Sequence, residues 1–163
     1  MNILEQTFLK GYAIVPNFLS DKNVLKCVSA IERLLESNSD NVIRCNETSY
    51  SYSDIVNSNK TFILTREGTE GFNYDKGMID IFNPNYAIHF LDAKFLGLSD
   101  FFDELKLKGY NFSNFNIYIN SGVTCTRPTH FDGPNQIKIF IYLTDVPSIN
   151  FGPYSYVPYS NMP

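Results

Sequence analysis

The stretch Gln136-Ile137-Lys138-Ile139-Phe140-Ile141-Tyr142-Leu143-Thr144-Asp145-Val146 decides the reading of the fold. Side chains alternate along an extended chain, so Ile139, Ile141 and Leu143 fall on one face and Phe140 and Tyr142 on the other. A strand that is apolar on both faces belongs inside a sandwich or beneath a helix, away from an exposed edge. Its purest part, Ile139 to Leu143, is far shorter than the roughly 20 apolar residues of a membrane-spanning helix.

The segments around it share this character. Phe115 to Asn120 alternates aromatic or aliphatic residues with asparagine, the period of a half-buried strand. Thr124 to Asp132 is strand-like, and Tyr154 to Pro158 adds one more short strand. Nearer the N-terminus, Tyr12 to Pro16 reads as a strand after the Lys10-Gly11 break. Ser20 is an N-cap, with Asp21 favouring the positive end of the helix it opens. That helix runs from Asp21 to Ser37, its stripe formed by Val24, Leu25, Val28, Ile31, Leu34 and Leu35. Asn38 to Asn59 lacks a clean period and reads as a loop or a poorly ordered insertion. Thr61 to Arg66 and Met78 to Phe82 read as strands around the Gly68 to Gly77 turn region, and Asn83-Pro84-Asn85 is a turn signal. A second helix spans Ser99 to Lys108, capped by Ser99 and stopped by Gly109. The expected organisation is a single domain, helical or mixed over 1–110 and β-rich over 111–163. That order is the pattern of an α+β or mainly β fold of the jelly-roll kind.

Bulk composition narrows the function. Of 163 residues, 44% are apolar and 15% aromatic, enough for a packed core and unlike a disordered chain. The net charge of −4 gives no electrostatic reason to approach nucleic acid or an anionic membrane. Cys27, Cys45 and Cys125 have no metal-ribbon spacing and cannot all pair, and the N-terminus lacks the pattern of a secretory signal. A reducing, cytoplasmic home is the expectation.

Chemical content concentrates in Thr129-His130-Phe131-Asp132. Residues i and i+2 of a strand share a face, so His130 and Asp132 can present an imidazole and a carboxylate side by side. These are two of the three ligands of the facial triad that holds non-haem Fe(II) with open positions. An HxD pair alone is a weak signal, since chance supplies one in roughly one such chain in ten. His89, the one other histidine, lies among apolar residues and reads first as a packed or hydrogen-bonded side chain.

Further motifs surround the pair. Thr126-Arg127-Pro128-Thr129-His130-Phe131-Asp132 leads into the Ile139 strand and its Leu143-Thr144-Asp145 end. Gly152-Pro153 and then Pro158-Tyr159-Ser160 follow. This order resembles the phytanoyl-CoA dioxygenase family of Fe(II)/2-oxoglutarate oxygenases. Gly11-Tyr12-Ala13-Ile14-Val15 with Phe18-Leu19-Ser20 is similar to the family's opening, and Gly77-Met78-Ile79-Asp80-Ile81-Phe82-Asn83 to a segment of its bacterial members. The resemblance spans about Gly11 to Ser160 and is most specific over 126–160.

The resemblance implies a double-stranded β-helix (jelly roll) with N-terminal helices packed outside. It makes His130 and Asp132 the first two ligands of Fe(II), with 2-oxoglutarate as cosubstrate and a small molecule as substrate. Tyr118 and Asn120, with Asn116 on the same strand face, would line the site; ordinary half-buried strand positions are the alternative. Arg127 and Lys138 could draw an anionic cosubstrate or substrate toward the metal, or else form an ion pair with Asp132 or Asp145.

The family's downstream histidine and its 2-oxoglutarate-binding arginine have no counterpart before Pro163. The strand-rich region also supplies only about half of the eight strands of a jelly roll. The expectation is therefore an incomplete jelly roll, the front part of a longer oxygenase or a truncated product, self-associating through exposed strand edges. The competing expectation is an inactive module that keeps part of the fold to bind a small ligand or a protein. A cupin-like metal protein is a third, but it would draw on more histidines than this chain has.

Overall fold

Asn2 and Glu5 open the first helix reciprocally. The Asn2 side chain accepts from the Glu5 N–H at 2.8 Å, and the Glu5 carboxylate accepts from the Asn2 N–H at 2.9 Å. Helix α1 (Ile3–Lys10) ends at Gly11, whose φ of 83° is the left-handed cap that a residue without Cβ adopts at no steric cost. These elements belong to a computed structural model that describes residues 2–46, 49–68, 74–123, 130, 136–151 and 153–156. The chain divides into two compact units, one covering Cys27–Ile139 and the other joining Met1–Lys26 with Phe140–Pro163.

Helix α2 (Asp21–Glu36) starts as its sequence predicts, with the Ser20 hydroxyl accepting from the Asn23 N–H at 3.3 Å. Its buried positions are Cys27, Ala30, Ile31 and Leu34, an i, i+3, i+4, i+7 set. The stripe is rotated from the expected one, and Leu25 lies exposed. Helix α2 also acquires a cap that local sequence cannot reveal. The Arg44 guanidinium donates to the carbonyls of Leu35 at 2.6 Å and Ser37 at 3.0 Å. A cation there satisfies orphan carbonyls at the negative end of the helix.

Arg44 lies on β1 (Val42–Asn46), which falls inside the expected Asn38 to Asn59 loop, as does α3 (Tyr52–Val56). The loop expectation fails because β1 is held by a distant parallel partner, β2 (Thr61–Thr65), through the register Val42↔Thr61 to Asn46↔Thr65. Helix α3 carries its own capping box, in which Ser51 and Asp54 bond each other's backbone.

The sheet runs β1-β2-β3-β4, with β3 (Ile79–Phe82) antiparallel to β2 and β4 (Asn116–Ile119) antiparallel to β3. The protein is thus α+β, with an open, mixed, four-stranded sheet and a few helices. Strand β2 is buried from Thr61 through Leu64, so the strand apolar on both faces is this one. One sheet face carries Phe62, Leu64 and Phe82, which pack with Ile55 of α3 and with Ile43 and Cys45 of β1. The rings of Tyr50 and Tyr52 meet Phe62 and Phe82 edge-on, with centroids 5.2 and 6.1 Å apart. Emptying the Phe62 position would cost about 3–5 kcal/mol.

Asn83 ties this sheet together. It adopts φ 50°, and its side-chain amide donates to the Ile55 carbonyl at 2.7 Å. Its own carbonyl accepts from the hydroxyl of Thr61, which is fully buried, at 2.8 Å. Pro84 then opens a short 3-10 turn (Pro84–Tyr86). Helix α4 (Ser99–Leu107) forms where expected, but its N-cap position is Leu98, which gives no side-chain bond. Ser99 is the first helical residue, and Gly109, at φ 87°, follows the helix end.

Two expected strands are absent. Residues 12–16 and 136–146 are described and contain no strand. In the second, Ile139, Phe140 and Tyr142 are exposed, so the alternating pattern is present without the burial that would reward it. A strand also needs a partner for its backbone N–H and C=O groups, and no described strand pairs with this segment. Instead, Phe140 stacks on Tyr154 with centroids 4.2 Å apart, and the Tyr142 hydroxyl accepts from the Tyr154 N–H at 2.7 Å. The expected strand over 124–132 lies outside the described residues, apart from His130. The expected strand over 154–158 lies outside them beyond Tyr156, and Tyr154 to Tyr156 form none.

Candidate functional site

Pairing places a polar corner on the face of the sheet that carries Phe62 and Leu64. Leu64 opposes Asp80, and Asp80 in turn opposes Tyr118, so these three side chains share a face. Arg66 lies two residues beyond Leu64, and the ladder continues to it through Arg66 N–H to the Met78 carbonyl at 2.9 Å. The guanidinium then reaches Asp80 through Nε at 2.9 Å and Nη2 at 2.7 Å, and Asp75 through Nη1 at 3.1 Å. Asp80 is 1% exposed. A carboxylate so buried is tolerated because its charge is met at close range by a hydrogen-bonded cation.

Arg66 is therefore committed. Two carboxylates occupy its fork, and the trio carries one net negative charge. It has no face left for the bidentate grip that a dicarboxylate cosubstrate needs. The trio escaped sequence analysis, although Asp80 in the middle of the apolar run Met78 to Phe82 is the signal that marks it. A charge on a buried strand implies a partner.

The expected site residues fare differently. Tyr118 lies on β4, half exposed, and its hydroxyl accepts from the Asn116 side-chain amide at 3.2 Å. The shared face expected for Asn116 and Tyr118 is thus present. The Asn116 Oδ1 is buried with no hydrogen-bond partner among the described residues. Asn120 follows the end of β4 and is exposed. Lys138 is exposed in the irregular segment, and His130 is exposed. Arg127 and Asp132 lie outside the described residues.

For iron, the donor chemistry of that pair is suitable but incomplete. One imidazole and one carboxylate are two of the three donors of the facial triad. Among the described residues no three His, Cys, Asp or Glu side chains gather in a way that would hold a metal. His89 lines a cleft together with Arg33, whose charge opposes a cation. We derive no chemical step through a metal on this set.

Burial alone pushes the Cys45 thiol above its ordinary range, which keeps it protonated near neutral pH. A thiol in that state is a poor nucleophile and a poor metal ligand. No helix among the described residues is long and apolar enough to cross a membrane. Comparison with family models, with curated proteins and with solved structures finds no match to the chain in any of the three.

Proposed function

We propose that the chain carries the His-x-Asp part of an Fe(II)/2-oxoglutarate-dependent oxygenase of the phytanoyl-CoA dioxygenase type, acting on a small molecule. The observation that carries the reading is the ordered run from Thr126 through His130-Phe131-Asp132 to Leu143-Thr144-Asp145, Gly152-Pro153 and Pro158-Tyr159-Ser160. The antiparallel β2-β3-β4 run is consistent with part of a jelly-roll sheet, and β4, the outermost strand of that run among the described residues, precedes the His130 segment in the chain. Tyr118, Asn120, Arg127 and Lys138 are the candidates for contact with the cosubstrate. When bound, the iron would supply the oxidising chemistry, and the protein its orientation and a water-poor cavity. A cytoplasmic setting goes with this reading, supported by the free thiol of Cys45.

A second reading is favoured by the commitment of Arg66 to Asp75 and Asp80. An arginine so engaged does not offer this sheet face a grip on a dicarboxylate, and the alternative is an inactive module that binds a small ligand or a protein. Anaerobic Fe(II) titration of the purified chain, with and without 2-oxoglutarate, separates the two. The oxygenase reading expects saturable Fe(II) binding that His130→Ala and Asp132→Ala each abolish. Equal binding in the wild type and both variants, or none in any of them, would leave the module as the surviving reading.

A further inference from the structure

A cleft of about 490 Å³ opens between the C-terminal half of α2, the entry to β1 and the segment 86–90. Its lining contains Arg33 and His89 and not one Asp or Glu. Among the described residues Arg33 is its one formally charged side chain, in a chain whose net charge is −4. The same lining offers apolar surface from Ala30, Leu34, Ile88 and Phe90. Charged and apolar side chains thus line one cleft, which suits a ligand with an anionic group and an apolar body, and the volume lies in the range of small-molecule sites.

Three further features favour an anion there. Arg33 forms no ion pair with any described residue, so its fork is available. The Ser37 and Ser39 hydroxyls, both in the lining, already accept from the N–H groups of Ser39 and Asn41 at 3.2 and 3.3 Å. With their acceptor side engaged, each keeps an O–H to donate. The end of α2 would normally oppose an anion with its negative dipole, but the Arg44 guanidinium covers the carbonyls of Leu35 and Ser37.

We propose that this cleft binds a small organic anion, a carboxylate or phosphate held by Arg33 with His89 beside it, whose apolar body lies on Ala30, Leu34, Ile88 and Phe90. The site shares no residue with the His130–Asp132 segment and stands or falls independently of the oxygenase reading. It is tested by ¹H–¹⁵N NMR titration of the full chain with phenyl phosphate, benzoate, inorganic phosphate and benzyl alcohol. Saturable shifts of the Ser37, Ser39, Asn41 and His89 amides are expected with phenyl phosphate or benzoate, and whichever binds more tightly identifies the headgroup. Inorganic phosphate alone, lacking the apolar body, should bind at least about tenfold more weakly than phenyl phosphate. Arg33→Gln should weaken the better ligand by about tenfold or more, with partial recovery in Arg33→Lys. Arg33 is exposed, so neither variant threatens folding. The proposal is overturned if neither aromatic anion saturates, if the shifts lie elsewhere, if benzyl alcohol binds as tightly as the anions, or if Arg33→Gln leaves affinity unchanged.

Discussion

Arg66 and Asp80 meet on the sheet face that carries Phe62 and Leu64, with both Nε and Nη2 of the arginine donating to one carboxylate oxygen, at 2.9 and 2.7 Å. The pair links the residue that follows β2 to the middle of β3, and Nη1 extends the link to Asp75. It holds a polar arrangement inside an otherwise apolar layer.

Removing one member should cost much more than removing both. Arg66→Met leaves the Asp80 carboxylate buried without its cation and should destabilise by about 3–5 kcal/mol. Arg66→Met combined with Asp80→Leu removes the buried charge as well and should recover a large part of that loss. Urea denaturation of the wild type, both single variants and the double variant measures the coupling. Purely additive losses would show that the pair contributes nothing beyond its separate side chains.

Asn83 gives two separable contributions, a left-handed backbone and an amide that donates to Ile55. Asn83→Ala loses the hydrogen bond and puts a Cβ residue of low left-handed propensity at φ 50°, so about 2–3 kcal/mol is expected. Asn83→Gly loses the bond alone and should cost about 1 kcal/mol less than the alanine variant. Equal losses would mean that the backbone there relaxes freely.

These two residues also show what sequence can and cannot carry. Helix α2 and strands β2, β3 and β4 were legible because each has a local period that burial reinforces. Strand β1 was not, because Val42 to Asn46 is fixed by a parallel partner some twenty residues away, as Val42↔Thr61 shows. The Gln136 to Val146 run misled for the converse reason: its alternation is clear, but no described strand receives its backbone. At the candidate site, the shared face of Asn116 and Tyr118 followed from the strand period. The Arg66–Asp75–Asp80 trio depends on a turn that brings separated residues together, and only the buried position of Asp80 hinted at it.

Arg44 should matter to α2 although it belongs to β1. Arg44→Met keeps most of the stem but removes the donors to Leu35 and Ser37, leaving those carbonyls to water. A loss of about 1 kcal/mol is expected. Hydrogen exchange should locate it, with faster exchange at the Ser37 amide, which donates to the Leu34 carbonyl, than at the start of the helix. Uniform acceleration along α2 would argue against a cap.

Cys45 makes stability depend on pH in a defined direction. Burial raises its pKa in the folded chain, whereas in the unfolded chain it titrates near the ordinary thiol value of about 8.5. Below that value both states hold the proton, and the contribution of Cys45 is fully present. As pH rises past it the unfolded state releases its proton first, so unfolding is increasingly favoured until the folded thiol ionises too. Stability should therefore fall on the alkaline side, and Cys45→Val, which keeps an apolar side chain against the cluster of Ile55, Phe62, Leu64 and Phe82, should flatten that fall. Tyrosines and lysines also titrate at high pH, so the informative quantity is the difference between the two proteins across the window, measured by urea denaturation. Peptide mapping after iodoacetamide treatment provides an independent measure: Cys45 should react more slowly than free cysteine near pH 8 and gain rate at higher pH than free cysteine does. Reaction at the rate of free cysteine would show that the thiol is neither buried nor shifted.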